Sequence, residues 1–189
     1  MTAFAPTLAS RRLPTVKPAA RDLLLVTAGA LFVAALAQVK IPLPFTPVPL
    51  TGQTFAVLLI GAALGAKRGV GSIGLYLLLG ACGLPFFAGG ASGLSYLSGP
   101  TLGYLVGFVA AAALTGFLAE RGLDRRIPTA LLAFLAGQAI IYIFGLAWLT
   151  VLLGFQKAIL AGLVPFLLGD ALKIAAAALA LPAAWKLVK

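Results

Sequence analysis

The 189-residue sequence contains no histidine and no asparagine, one cysteine (Cys82) and four acidic residues, Asp22, Glu120, Asp124 and Asp170. Without histidine, a typical zinc site, a histidine-based catalytic triad and an imidazole proton relay are excluded. A single cysteine cannot form an internal disulfide and says nothing about redox compartment. No G-x-x-x-x-G-K-[S/T] run occurs. The nearest approach, GAALGAKRG at 61–69, lacks both the spacing and the hydroxyl residue, so the chain carries no phosphate-binding loop of that kind. Charge is scarce as well. Charged residues make up 10% of the chain, against about 25% in soluble domains.

What fills the sequence instead is apolar. Hydrophobic residues account for 62%, and the mean hydropathy is +1.11. Such a chain cannot cover a water-facing surface, so it reads as an all-α integral membrane protein in a lipid bilayer. The net charge of +10 would suggest nucleic acid in a soluble protein. Here the basic residues flank apolar runs, which makes them markers of topology, and no nucleic-acid partner is expected.

Residues 1–20 mix Pro, Ser, Thr and basic residues and read as a flexible cytoplasmic tail, leaving 21–189 as the membrane domain. The run DLLLVTAGALFVAALAQV resembles a secretory signal, with Ala35-Leu36-Ala37 as the cleavage site, but it is long for one and the rest of the chain is equally apolar. KIPLPFTPVPLTGQT follows, and its four prolines predict an extended loop that folds back over a pocket. FAVLLIGAALGA and GVGSIGLYLLLGA predict a tight helical hairpin with Lys67-Arg68 at its turn. After the glycine-rich segment 82–100 come spans over 101–120 and 128–154, the latter ending near Trp148, and a last one over 158–188. Six spans place both termini on one side. Eleven of the 14 basic residues then share that side, only Lys40 and Lys157 lie opposite, and Lys173 falls within the membrane. This bias predicts cytoplasmic termini.

The charged pair in GDALK (169–173) stands out, because an ionised side chain at a helix centre costs about 2.5–3.5 kcal/mol even on insertion scales. Asp170 and Lys173 lie three residues apart, on one helical face. Two readings fit: a structural ion pair between helices, or a ligand clamp in which the carboxylate accepts N–H groups and the ammonium donates to an oxygen. An intramembrane enzyme would need a base or nucleophile beside Asp170, and the residue types supply none. A gradient-driven secondary transporter using Asp170 as its buried acid is the alternative to a binding subunit.

Together with GDALK, the stretches PVPLTGQTFAVLLIGAALG, GLPFFAGG, GPTLGYLVGF and VPFLLGD make the chain similar to the BioY family, the biotin-binding S components of energy-coupling-factor (ECF) transporters. The resemblance runs from about Gln38 to Lys173. It implies a bundle of six membrane helices in the bacterial cytoplasmic membrane, without enzymatic activity, cofactor or metal. Such a bundle captures biotin on the outer side and assembles with a transmembrane coupling subunit and ATPase subunits. It implies biotin contacts from Asp170 and Lys173, a covering loop carrying Thr51 and Gln53, and ring packing by Tyr142 and Trp148. The small-residue step Ala30-x-x-x-Ala34 would dock the coupling subunit; the residues alone fit ordinary packing inside the bundle equally. The absence of asparagine is a departure that leaves Gln38, Gln53, Gln138 and Gln156 as the side-chain amides.

Overall fold

A computed structural model describes residues 3–188. Its elements are almost all helical: α1 (Phe4–Arg12), α2 (Pro18–Gln38), α3 (Gln53–Leu64), α4 (Ala66–Ala81), α5 (Leu94–Leu97), α6 (Leu102–Glu120), α7 (Ile127–Leu153), α8 (Phe155–Gly162) and α9 (Leu167–Ala184). The exception is a two-residue antiparallel ladder in which β1 (Lys40–Ile41) pairs with β2 (Leu50–Thr51). Four stretches are long and apolar enough to cross a membrane: α2, α6, α7 and the combined run of α8 and α9. Leu24 and Leu31 on α2, Leu132, Ile143 and Val151 on α7, and Leu168, Leu172 and Leu179 on α9 project outward. An apolar exterior of this extent suits acyl chains and not water, so this is a multi-pass membrane protein.

Small residues set the packing. α6 is the most buried of the four long spans. Gly61 of α3 lies against the backbone of Ala112 on α6, and Gly116 of α6 lies against the backbone of Gly65 and Ala66. In lipid, helices gain little from burying apolar surface against one another, and close van der Waals approach of this kind drives association.

The hairpin turn between α3 and α4 is tighter than the sequence suggests. Gly65, at φ 84°, makes the whole connection, and Lys67 and Arg68 fall within the first turn of α4. Cations are disfavoured at a helix N-terminus. Glu120 offsets this by accepting the Ala66 amide at 3.0 Å, and Asp22 pairs with Arg68 at 2.7 Å.

The predicted last span is broken. α8 ends at Gly162, a 3₁₀ turn covers Val164–Phe166, and α9 starts at Leu167. Pro165 sits within that turn and lacks the amide a continuous helix would need. Asp170 therefore lies in the first turn of α9, where the helix dipole favours an anion. The preceding span, α7, ends at Leu153, within a residue of the end of the 128–154 run.

The N-terminal segment also departs from expectation. Residues 4–12 form α1 instead of a loose tail, Ala3 is buried, and the Phe4 ring meets Trp185 edge-on at 5.6 Å. Arg68–Asp22, Ala66–Glu120 and Phe4–Trp185 gather the starts of α1, α2 and α4 with the ends of α6 and α9 at one end of the bundle.

Candidate functional site

The proline-rich loop behaves as a cover. β1 and β2 pinch its base, Thr46 Oγ1 donates to the Ala161 carbonyl at 2.6 Å and accepts the Val48 amide at 3.1 Å. Leu43, Val48 and Leu50 pack toward the core. Beneath Val48 and Pro49 lies a cavity walled by α3, α6, α7 and α9, lined among others by Thr51, Gln53, Thr54, Tyr96, Tyr104, Phe108, Gln138, Tyr142, Phe166, Asp170 and Lys173.

At its floor Asp170, 4% exposed, accepts four hydrogen bonds. Oδ1 takes Lys173 Nζ at 2.9 Å and Thr54 Oγ1 at 3.2 Å. Oδ2 takes Tyr142 OH at 2.6 Å and Gln138 Nε2 at 2.8 Å. A carboxylate offers about four acceptor positions, so every one of them is filled by the protein. Lys173 also donates to Thr54 Oγ1 at 3.1 Å, which commits two of its three N–H groups. One group is left over. Gln138 Oε1 is buried in this cavity and has no hydrogen-bond partner among the described residues. An unpartnered buried amide oxygen costs about 1–3 kcal/mol, so it marks a place where a donor is wanted.

The space between these side chains is narrow. Water centres reach about 40 Å³ of it, which is room for about three molecules at 10–15 Å³ each. Outside it lies a wider vestibule of about 360 Å³, lined by Lys40, Thr46, Ser95 and Gly99. Pro49, Tyr96 and Thr101 border both spaces and form the wall between them. Tyr96 is backed by Phe87, stacked at 4.9 Å, and Phe87 meets Tyr76 edge-on at 5.7 Å.

The sequence-derived residues divide accordingly. Asp170, Lys173, Thr51, Gln53 and Tyr142 all line the inner cavity. Gln53 is fixed there: its Nε2 donates to Tyr76 OH and its Oε1 accepts from Thr51 Oγ1 at 3.0 Å. Trp148 does not line it. Its indole donates to the Gly99 carbonyl at 3.0 Å, pinning the segment that carries Tyr96, and the cavity's rings come from Tyr96, Tyr104, Phe108, Tyr142 and Phe166. Ala30 and Ala34 are corrected too. At 0% and 6% exposure they are packed inside the bundle. Thr54 and Tyr104 were missed, and Gln138 was named only as one of the four side-chain amides. Gln138 had a usable signal, an amide in the middle of a 27-residue apolar helix. Tyr104, whose hydroxyl donates to the Gly162 carbonyl at 2.7 Å, had none.

Comparison with known proteins places this geometry. The model of the BioY family matches residues 8–189. A biotin transporter BioY of Rhizobium etli is 40% identical over 169 residues, covering 84% of this chain and 90% of the relative. The biotin transporter BioY of Thermotoga maritima is 40% identical over 156 residues, covering 82% and 91%. A crystal structure of the S-component for biotin from an ECF-type ABC transporter superposes with a TM-score of 0.79 at 26% identity, over 89% of this chain and 92% of that one. The chain belongs to the BioY family.

Proposed function

We propose that this chain is a biotin-binding S component: it captures biotin at the outer face of the bacterial cytoplasmic membrane and passes it inward with an ECF energising module. The observation that carries the reading is the pairing of an unpartnered buried acceptor, Gln138 Oε1, with an uncommitted N–H of Lys173 around one cavity. A ureido ring presents N–H donors beside a carbonyl, and this floor presents the complementary acceptor and donor. With its own acceptor positions filled, Asp170 serves as the anchor that orients Gln138, Tyr142, Thr54 and Lys173, and not as the group that meets the ligand first. The rings of Tyr104, Phe108, Tyr142 and Phe166 supply the apolar walls. Biotin is larger than three waters, so loading moves the Val48–Pro49 cover and Tyr96 apart and joins cavity and vestibule.

Six spans, α2, α3, α4, α6, α7 and α8–α9, with both termini cytoplasmic, account for the charge distribution. The end of the bundle that gathers both termini also carries Arg68, Arg121, Arg125 and Arg126, while Lys40 lies in the vestibule. The coupling and ATPase subunits follow from the ECF context of the structural relative. The test is an equilibrium titration of the purified chain with labelled biotin and competing vitamins. Asp170→Asn replaces one of the two oxygens, and with it two of the four accepting positions, by an amide group that faces donors, and the loss of each charge-assisted contact is worth about 1.5–3 kcal/mol. Affinity for biotin is expected to fall at least tenfold while the protein stays folded. Unchanged affinity in Asp170→Asn would refute the reading of this floor.

A further inference from the structure

We propose that Lys40 determines specificity for the acid end of the ligand: its ammonium, at the mouth of the inner cavity, pairs with the carboxylate of the biotin side chain. The inference rests on the biotin reading of the floor and extends it outward. Biotin carries a ureido ring at one end and, through a flexible alkyl tail, a carboxylate at the other. With the ring on Gln138 and Lys173, the tail leaves past Pro49, Tyr96 and Thr101 and enters the vestibule of about 360 Å³. Among the described residues, Lys40 is the one charged side chain lining that vestibule. Its ammonium has no hydrogen-bond or ion-pair partner among them.

The backbone aims this side chain. Lys40 stands directly opposite Thr51 in the β1–β2 ladder. Directly opposed residues of an antiparallel pair project to the same face, with Cβ atoms about 4.5–5.5 Å apart. Thr51 lines the inner cavity, so Lys40 rises from the face of the ladder that carries that lining, and Ile41 and Leu50 share the other face. The ladder is held at its base. The Gly52 amide donates to the Val39 carbonyl at 3.1 Å, and the Gly89 amide to the Ala37 carbonyl at 3.2 Å. The lysine stem lies close over Gly89, where a Cβ would come within 2.7 Å of Lys40 Cδ. Only the ammonium is then left to search, and a compact charge with three N–H groups can follow a carboxylate on a flexible tail. On the six-span topology only Lys40 and Lys157 lie outside, where basic residues are scarce. Lys157 borders a different hollow, with Phe45 and Leu160.

The test is equilibrium binding of the purified full chain to biotin and to biotin methyl ester, which keeps the ring and loses the charge. The unaltered chain should bind biotin roughly fivefold more tightly than the ester, the upper end for a water-exposed ion pair. The difference should shrink as salt is raised. Lys40→Gln should lower affinity for biotin roughly fivefold and leave the ester unchanged, while Lys40→Arg keeps most of the preference. Lys157→Gln removes the other outer cation and should change neither. Binding of the ester reports that each variant is folded. Equal affinity of the unaltered chain for acid and ester, an equal loss for both ligands in Lys40→Gln, or a biotin loss of the same size in Lys157→Gln would each overturn the role of Lys40 and leave the floor reading standing. Failure of the floor reading is distinct: the unaltered chain would bind neither compound, and the role of Lys40 would fall with it.

Discussion

Asp170 is expensive in an apolar setting, and its four donors offset that cost only as a set. Gln138 is the member with two functions. Its Nε2 holds Asp170, while its Oε1 waits for a partner. Gln138→Met keeps much of the volume and removes both groups. Losing a donor to a carboxylate costs about 1.5–3 kcal/mol, and losing the unsatisfied oxygen returns about 1–3 kcal/mol. The two largely offset, so thermal stability without ligand is expected to change by no more than about 2 kcal/mol, while biotin affinity falls about tenfold or more. Melting temperature and a binding titration separate the two, and a variant that melts much earlier yet binds normally would reverse the assignment. The Asp170–Lys173 pair was readable in the sequence because ionised residues in an apolar run are rare. Gln138 was legible only as one of four side-chain amides, and its bond to Asp170, 32 positions away, is made where α7 crosses α9.

At the scale of elements, the bundle depends on backbones that approach closely. A Cβ on Gly116 would meet the backbone of Gly65 and Ala66, which side-chain rotation cannot relieve. Gly74, on the outer face of α4, has nothing nearby. Gly116→Ala should cost about 1–3 kcal/mol as overpacking, lowering the melting temperature by roughly 5 °C at about 2–4 °C per kcal/mol. Gly74→Ala should leave it unchanged or slightly raised, since alanine is the better helix former. Equal melting temperatures for the two variants in a detergent unfolding assay would contradict this packing. Hydrophobic runs made the long helices legible. Their breaks were uneven: Gly65 alone forms a turn that the sequence assigns to Lys67 and Arg68, whereas Pro165, a helix breaker visible in the sequence, does split the last span.

For the whole molecule, the end that gathers the termini is closed by Asp124, which ties the α6–α7 turn to Trp185 and, through Phe4, to α1. Burial raises the Asp124 carboxyl above its ordinary value, and the Trp185 hydrogen bond and Arg125 oppose this only in part. The folded protein thus keeps a proton here that the unfolded chain has lost. This contribution to stability is complete below about pH 4 and is lost as pH rises through the folded-state value. Asp124→Asn abolishes the titration. The melting temperature of the unaltered protein minus that of Asp124→Asn should therefore decline from about pH 4 to pH 7. A pH-independent difference would show that the carboxyl ionises alike in both states.

Composition alone determined that the chain lives in a bilayer, because too few polar groups exist to face water. The same poverty of charge made Asp170 and Lys173 conspicuous, and the ordered motifs around them pointed to the family. The tertiary structure decided which buried polar atoms are left without a hydrogen-bond partner, because hydrogen-bond saturation of Asp170 depends on three helices meeting. It also decided that Ala30 and Ala34 face inward, since small-residue spacing marks a close helix contact without saying which helix makes it. Lastly, it set Lys40 across the ladder from Thr51 at the mouth of the inner cavity, a matter of register in space that linear order does not encode.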